Sequence, residues 1–283
     1  SFLKSGFPLA GFPSENYIFA VNNPNKSTAM LSIAERHKYI LESLNKNGFI
    51  KVSDIAKELD VTPVTIRKDL KYLENKKLLY RTHGSASPVN PYTSDLDLHE
   101  KEKMRTEEKQ RIALAACKLI ERNDTIIMAA GSTVHSFAQE LNPDSSLTVV
   151  SSSLKTSLLL NNKNHIEVIQ LGGFVRKNSC TAVGEYALKL FSDIACSKLF
   201  LGVDGIDVEY GITNSNIEEA TLNKRMIEAA HRTIILSDSS KFGRRGFGRI
   251  CNMDQIDVII TDSGISPKIA SAIEELGIEL IIV

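Results

Sequence analysis

Apolar residues between positions 31 and 86 recur at intervals of three and four, the spacing of one face of a helix. The pattern predicts a first helix from Leu31 up to the glycine at position 48. Two shorter helices follow, the first capped by Ser53 and the second by Thr62, with Pro63 at its first position. A short extended stretch over 78–82, followed by Gly84, completes a helix-turn-helix with a hairpin behind it.

A different pattern starts after residue 106, where short apolar strands alternate with helical stretches. Such alternation builds a mostly parallel sheet covered by helices on both faces. The predicted fold class is therefore α/β, with a doubly wound sheet and a small N-terminal winged helix-turn-helix domain. The predicted strands are Thr125–Ala129, Leu147–Ser151, Glu167–Leu171, Lys198–Val203, Thr233–Ser237, Val258–Thr261 and Glu279–Val283.

These patterns divide the chain into four segments. Residues 1–29 hold three of the eight prolines and show no helical or alternating period, so we expect a disordered extension before a natural start at Met30. Residues 30–87 form the predicted winged helix-turn-helix domain, and residues 88–106 form a polar linker. Residues 107–283 form the α/β domain.

Composition narrows the class of protein. No run of about 18 apolar residues occurs, so no membrane-spanning segment is predicted. Four scattered cysteines without a C-x-x-C pair fit reduced cytoplasmic thiols better than disulfides or a metal site. Neither a P-loop nor a dinucleotide-binding glycine pattern appears, so we expect no cofactor. Residues 30–86 hold eleven Lys/Arg and seven Asp/Glu, giving +4 in a chain of net charge zero, an asymmetry that favours nucleic-acid binding.

The second helix of the helix-turn-helix motif carries the candidate DNA contacts. Ile66, Leu70 and Leu73 must face the core, which leaves polar and cationic side chains outside. Such side chains suit phosphates and base edges in a major groove, although an ordinary solvated helix face has a similar composition. The predicted DNA-binding residues, with the helix start and the hairpin included, are Ser53, Thr62, Pro63, Thr65, Arg67, Lys68, Lys71, Arg81 and His83.

Two motifs in this domain resemble those of the DeoR family of bacterial regulators: Thr65-Ile66-Arg67-Lys68-Asp69-Leu70 and Arg81-Thr82-His83-Gly84. Ser85 replaces the second glycine of the family's hairpin motif, and Asp69 is predicted to pair or cap within the domain. The resemblance covers Met30–Val283. It implies an isomerase-like sensor domain, similar in fold to ribose-5-phosphate isomerase. It further implies a dimeric or tetrameric repressor that binds double-stranded operator DNA and a phosphorylated sugar effector, in the cytoplasm and on the nucleoid.

Polar loops follow the predicted strands of the larger domain, where open α/β sheets bind ligands. Ala130-Gly131-Ser132-Thr133 precedes a helix, whose N-terminal N–H groups suit an anion. In the family this loop contacts the phosphosugar, whereas Ser152 stands where the family usually has asparagine. The predicted effector-binding residues are Gly131, Ser132, Thr133, Ser152, Ser153, Gly172, Gly173, Arg176, Asp204, Asp207, Thr213, Glu219 and Lys241.

The segment from Asp204 to Asp207 resembles a segment of the isomerase that holds two active-site carboxylates. The isomerase also needs a glycine-rich loop with a lysine, and here Glu209-Tyr210-Gly211-Ile212 offers neither. We therefore predict a binding pocket without catalysis, no catalytic residues and no metal ligands. Two alternatives stay open: a phosphosugar isomerase fused to a DNA-binding domain, and a DNA-bound scaffold whose pocket is vestigial.

Overall fold

The computed structural model describes residues 31–47, 50–76, 78–82, 84–87 and 96–283. The predicted extension 1–29, the hairpin residue His83 and the first part of the predicted linker lie outside the described residues.

The N-terminal domain is a winged helix-turn-helix. Its elements are α1 (Ile33–Asn47), β1 (Ile50–Lys51), α2 (Val52–Glu58), α3 (Pro63–Asn75), β2 (Tyr80–Thr82) and β3 (Ser85–Ser87). Strand β3 lies between β1 and β2 and pairs with both in antiparallel fashion, which forms the wing. The helices bury one apolar cluster that includes Ile40, Leu44, Ile66 and Leu70.

The predicted cap at Ser53 is wrong. Helix α2 begins at Val52, with its N-cap at Lys51, two residues before the predicted cap, and without a side-chain cap bond. The reason lies in the wing, because the Val52 N–H donates to the carbonyl of Gly84 at 2.9 Å, so β1 passes directly into α2. The Ser53 hydroxyl instead donates to the Asp54 carboxylate at 2.9 Å.

The larger domain contains the predicted α/β sheet with all seven strands parallel. The strands are β4 (Thr125–Met128), β5 (Leu147–Ser151), β6 (Ile166–Gln170), β9 (Cys196–Gly202), β12 (Ala230–Leu236), β14 (Val258–Thr261) and β15 (Glu279–Ile282). Their spatial order is β15-β14-β12-β9-β4-β5-β6, so β4, β9 and β12 lie near the centre.

Helices cover both faces of this sheet. They are α5 (Thr106–Cys117), α6 (Ser132–Glu140), α7 (Leu154–Leu160), α8 (Glu185–Leu190), α9 (Ile217–Glu228) and α10 (Pro267–Glu275). Alternate strand residues contribute to two buried clusters: Ile126 packs with residues of α5 and α6, whereas Ile127 packs with residues of α8, α9 and α10. The doubly wound prediction is therefore confirmed.

Two smaller β structures interrupt the predicted strand–helix alternation. They are the hairpin of β7 (Phe174–Arg176) with β8 (Thr181–Val183), and the antiparallel sheet of β10 (Gly205–Asp207), β11 (Gly211–Asn214) and β13 (Gly248–Cys251). Glycine permits the close approach of β11 to β13, because a Cβ on Gly211 would lie 2.1 Å from the Cys251 carbonyl oxygen.

The segment 88–106, predicted as a linker, contains helix α4 (Leu98–Lys103). Asp97 caps this helix by accepting the N–H of His99 at 2.8 Å. The Leu98 N–H donates to the carbonyl of Asn178 at 2.7 Å, which docks α4 on the larger domain. Arg105, in the left-handed conformation at φ 52°, separates α4 from α5.

Candidate functional site

Helix α3 carries cationic side chains on the face opposite its buried one. The buried face consists of Ile66, Leu70 and Leu73, each at most 2% exposed. The exposed cations are Arg67, Lys68 and Lys71. An exposed row of this kind can contact phosphates and base edges when the helix lies in a major groove.

The start of α3 has the predicted geometry. The Thr62 hydroxyl accepts the N–H of Thr65 at 3.2 Å, and Pro63 is the first helical residue. The hydroxyls of Thr62 and Thr65 lie 3.0 Å apart, so both stay at the exposed N-terminal end of the helix. Backbone N–H groups at such an end suit a DNA phosphate.

Asp69 has the structural role that was predicted from its negative charge among cationic neighbours. Its carboxylate accepts hydrogen bonds from the Arg36 guanidinium, one of them at 3.0 Å, and its side chain is only 8% exposed. His37 Nε2 lies 3.1 Å from the same carboxylate, and its ring stacks on Tyr72 with centroids 5.0 Å apart. These contacts fix α1 against α3, so Asp69 belongs to the buried face of the helix and not to its exposed cationic face.

The wing is tied to the far end of α3. The Arg81 backbone N–H and Nε donate to the two carboxylate oxygens of Glu74 at 3.0 and 2.7 Å. About a third of each side chain stays exposed, 35% for Arg81 and 33% for Glu74. Gly84 turns the hairpin at φ 81°, a conformation that favours glycine. The Arg81 side chain can therefore meet a phosphate while still anchored to α3.

A pocket lies at the carboxyl ends of the central strands β4, β9 and β12, and it brings together six of the predicted effector-binding residues. These six are Gly131, Ser132, Thr133, Asp204, Glu219 and Lys241. Gly131 adopts φ 135° at the start of α6, whose first turn has no side-chain cap. The positive end of that helix thus faces the pocket and suits an anion.

Asp204 is held in the pocket by three donors. Lys101 Nζ donates to its Oδ1 at 2.7 Å, and the backbone N–H and hydroxyl of Ser215 donate to its Oδ2 at 3.0 and 2.8 Å. Burial alone would raise the pKa of this carboxyl, but the charges of Lys101 and Lys241 outweigh burial and hold it well below its usual value. Asp204 is therefore a fixed negative charge at neutral pH.

Cations outnumber carboxylates around Asp204 and Asp238. The five cationic side chains that interact electrostatically with one or both carboxylates are Lys101, Arg105, Lys109, Lys241 and Arg244. Burial lowers the pKa of Lys241 against the opposing attraction of Asp204 and Asp238. Five cations close to these two carboxylates create a local field that favours an anionic ligand.

Arg176 lies beside this pocket, not in its lining, and its guanidinium bonds the carboxylate of Glu219, with both side chains largely buried. Arg176 thus orients the Glu219 carboxylate from outside the pocket lining.

The remaining predicted effector residues lie away from the pocket lining. Ser153 caps α7, and Thr213 donates its hydroxyl to the carbonyl of Gly205 at 3.2 Å. Asp207 pairs with Arg245 at 2.7 Å, outside the pocket that Asp204 lines. The other three are Ser152, Gly172 and Gly173.

Sequence reasoning missed the contribution of the predicted linker. Leu96, Leu98 and Lys101 all line the pocket, although they precede the first strand of the sheet by more than twenty residues. A second ion pair holds the same helix, because Lys155 Nζ lies 2.6 Å from the Glu102 carboxylate. The pocket also includes Asn178, Ser179 and Asn214. The signal in the sequence that could have predicted α4 is Asp97, a residue type that often caps the start of a helix.

Within the described ranges, no helix combines the length and apolar character needed to cross a membrane. Among the same residues, no group of three or more His, Cys, Asp or Glu side chains is placed to hold a metal ion. The four cysteines are free thiols.

Comparisons with known proteins match both domains. Residues 36–91 match the profile of the DeoR-like helix-turn-helix domain, and residues 104–263 match that of the DeoR C terminal sensor domain. The chain is 37% identical over 248 residues to the uncharacterized HTH-type transcriptional regulator YulB of Bacillus subtilis, covering 88% of this chain and 96% of YulB.

Two further proteins are similar. The lactose phosphotransferase system repressor of Staphylococcus epidermidis is 33% identical over 232 residues, covering 81% of this chain and 92% of the repressor. A solved ribose 5-phosphate isomerase A from Methanocaldococcus jannaschii aligns with a TM-score of 0.35 and 18% identity, covering 48% of this chain and 54% of the isomerase.

Proposed function

Because the chain belongs to the DeoR family of helix-turn-helix transcriptional regulators, we propose that it represses genes of sugar metabolism under the control of a phosphorylated sugar. The winged domain binds operator DNA through the exposed face of α3 and the wing. The larger domain binds the effector in the pocket at the carboxyl edge of its sheet. The name of the Staphylococcus epidermidis relative, a repressor of a lactose phosphotransferase system, supports a sugar-related signal.

One observation carries this proposal: the pocket is lined in part by a helix from the segment that leads to the DNA-binding domain. Lys101 of α4 bonds Asp204 at the end of β9, so a phosphate that attracts Lys101 also acts on α4. If the effector binds more tightly when α4 is in one position than in another, its binding would shift the protein between a DNA-binding state and a released state. A sugar phosphate fits because it combines an anion with hydroxyl groups.

The charge arrangement supports binding without turnover. A general base that moves a proton at neutral pH needs a pKa near 7, whereas the pKa of Asp204 is held well below its usual value. Asp207, the second carboxylate of the isomerase-like segment, is paired with Arg245 outside the pocket. The protein is therefore proposed to act as a sensor with no catalytic residues.

The working form is proposed to be a homodimer or tetramer on the nucleoid in the cytoplasm. Winged helix-turn-helix proteins commonly bind two half-sites, which one recognition helix cannot cover. Two copies of α3 related by a twofold axis would meet a palindromic operator.

Fluorescence anisotropy with duplexes from the upstream region of the gene tests the proposal. Each duplex is titrated alone, with triose, pentose and hexose phosphates, and with the matching unphosphorylated sugars. We expect one phosphorylated sugar to release the operator and its unphosphorylated counterpart to have no effect. The same compound should stabilise the protein by about 2.7 kcal/mol at a hundred times its Kd. If every sugar phosphate leaves both operator affinity and thermal stability unchanged, the pocket does not sense this class of ligand.

A further inference from the structure

Two buried polar atoms at the pocket lack a hydrogen-bond partner. Among the described residues, five buried side-chain oxygens are unsatisfied, and two of these, Asn214 Oδ1 and Ser179 Oγ, belong to residues that line this one pocket. Folded proteins satisfy nearly all buried polar groups, and an exception calls for an explanation. A ligand that brings hydroxyl groups into the pocket would supply the missing partners.

Asn214 is built into a fixed position. It is the last residue of β11 and is only 5% exposed. The residues on either side of it are both held by hydrogen bonds. The Thr213 hydroxyl donates to the carbonyl of Gly205, and the Ser215 hydroxyl donates to Asp204. Asn214 therefore lines the pocket from a stretch of backbone that is held on both sides.

Both oxygens of Asp204 and one oxygen of Glu219 already accept hydrogen bonds, whereas the amide oxygen of Asn214 accepts none. Both oxygens of Asp204 accept hydrogen bonds, from Lys101 and from Ser215. Glu219 is paired with Arg176. An amide suits a hydroxyl group well, because its oxygen accepts the hydroxyl proton and its nitrogen donates to the hydroxyl oxygen.

We propose that Asn214, together with Ser179, binds a hydroxyl group of the sugar and so determines which polyol phosphate the pocket accepts. This inference rests on the proposed function, since it assigns the carbohydrate end of the same ligand. The phosphate lies toward α6 and the cations, and the hydroxyl lies at the amide. A site built to bond a hydroxyl rejects analogues that lack it, because its own buried amide then stays unpaired.

Isothermal titration of the full chain, with inorganic phosphate and with the sugar phosphate that binds most tightly, tests the assignment. Asn214→Ala is expected to weaken sugar phosphate binding by about ten- to a hundredfold and to leave phosphate binding unchanged. A deoxy analogue that lacks the bonded hydroxyl should bind wild type and Asn214→Ala with equal affinity. Thr261→Val is the matched control, because the Thr261 hydroxyl is an equally buried unsatisfied group outside the pocket lining.

The outcomes separate this inference from the proposed function. If wild type binds no sugar phosphate more tightly than inorganic phosphate, both are overturned. If wild type binds a sugar phosphate and Asn214→Ala binds it equally well, only the assignment of Asn214 is overturned. Equal weakening of phosphate and sugar phosphate would also overturn it, because Asn214 would then support the anion end. Circular dichroism of each variant confirms that the fold is kept.

Discussion

The ammonium of Lys101 donates a 2.7 Å hydrogen bond to the carboxylate of Asp204, and this contact joins helix α4 to the end of the central strand β9. Both side chains are about a fifth exposed, 21% for Lys101 and 19% for Asp204. The pair is thus accessible to a ligand but sheltered enough for its charges to interact strongly. It is also one of the contacts that join the pocket to the segment leading to the DNA-binding domain, beside the hydrogen bond from the Leu98 N–H to the Asn178 carbonyl.

Replacing Lys101 with methionine should uncouple the effector from DNA. Lys101→Met keeps most of the side-chain volume but removes the charge that meets Asp204 and the phosphate. We expect operator affinity without effector to be preserved and the effector concentration for half-release to rise at least tenfold. Lys103→Met is the matched control, because Lys103 lies on the same helix with 70% of its side chain exposed. A Lys101→Met protein that responds normally would show that α4 does not carry the signal.

Arg67 and Arg81 are expected to make different kinds of DNA contact. Arg67, exposed on α3, can bond both O6 and N7 of guanine, so Arg67→Ala should cost about 1–3 kcal/mol on operator and little on scrambled duplex. Arg81, anchored to Glu74 in the wing, should touch phosphate. Arg81→Ala should therefore weaken both duplexes equally and lower the salt slope by about one. Titrations against both duplexes at two salt concentrations measure this. Equal losses on both duplexes for Arg67→Ala would make it a backbone contact.

Because of Lys109, the free energy of unfolding should vary with pH in the alkaline range. Its buried ammonium donates to the carbonyls of Lys101 and Met104, and burial lowers its pKa from 10.5 to about 8. Between pH 8 and 10.5 the unfolded chain retains the proton that the folded chain has released, so the free energy of unfolding rises with pH there. Wild type should therefore gain stability over Lys109→Met, by up to about 1.4 kcal/mol per pH unit.

Urea unfolding at pH 7, 8, 9 and 10 measures the effect of Lys109. The difference between wild type and Lys109→Met should stay constant from pH 7 to pH 8 and grow above that. The exposed Lys103→Met control should track wild type throughout. A difference that is flat across the whole range would mean that Lys109 keeps its proton in the folded protein.

Removing Asp69 should damage the DNA-binding domain alone. Asp69→Ala leaves the Arg36 guanidinium, only 10% exposed, without its carboxylate. Breaking a buried pair in this way costs roughly 3–5 kcal/mol. That is a large part of the free energy of unfolding of a small domain. We expect loss of operator binding with the thermal shift by effector retained. Glu42→Ala, on the exposed side of α1, should change neither. Full operator affinity in Asp69→Ala would contradict the structural role of this residue.

The sequence by itself determined the features that depend on neighbours along the chain. The seven strands follow from short apolar runs, because a parallel sheet buried on both faces needs them. The start of α3 follows from Thr62 and Pro63, whose capping and backbone restriction act within one turn. The pairing role of Asp69 followed from one acidic residue on a cationic helix, although its partners did not.

Only the tertiary structure decided which of the predicted loops meet. Lys101 enters the pocket from a segment with no strand or apolar period, and its partner Asp204 lies 103 residues further along. Asp204 and Asp207 are three residues apart, yet β10 directs them to different partners, Lys101 and Arg245. The contact of Lys101 with Asp204 depends on the docking of α4 on the larger domain, which long-range packing sets.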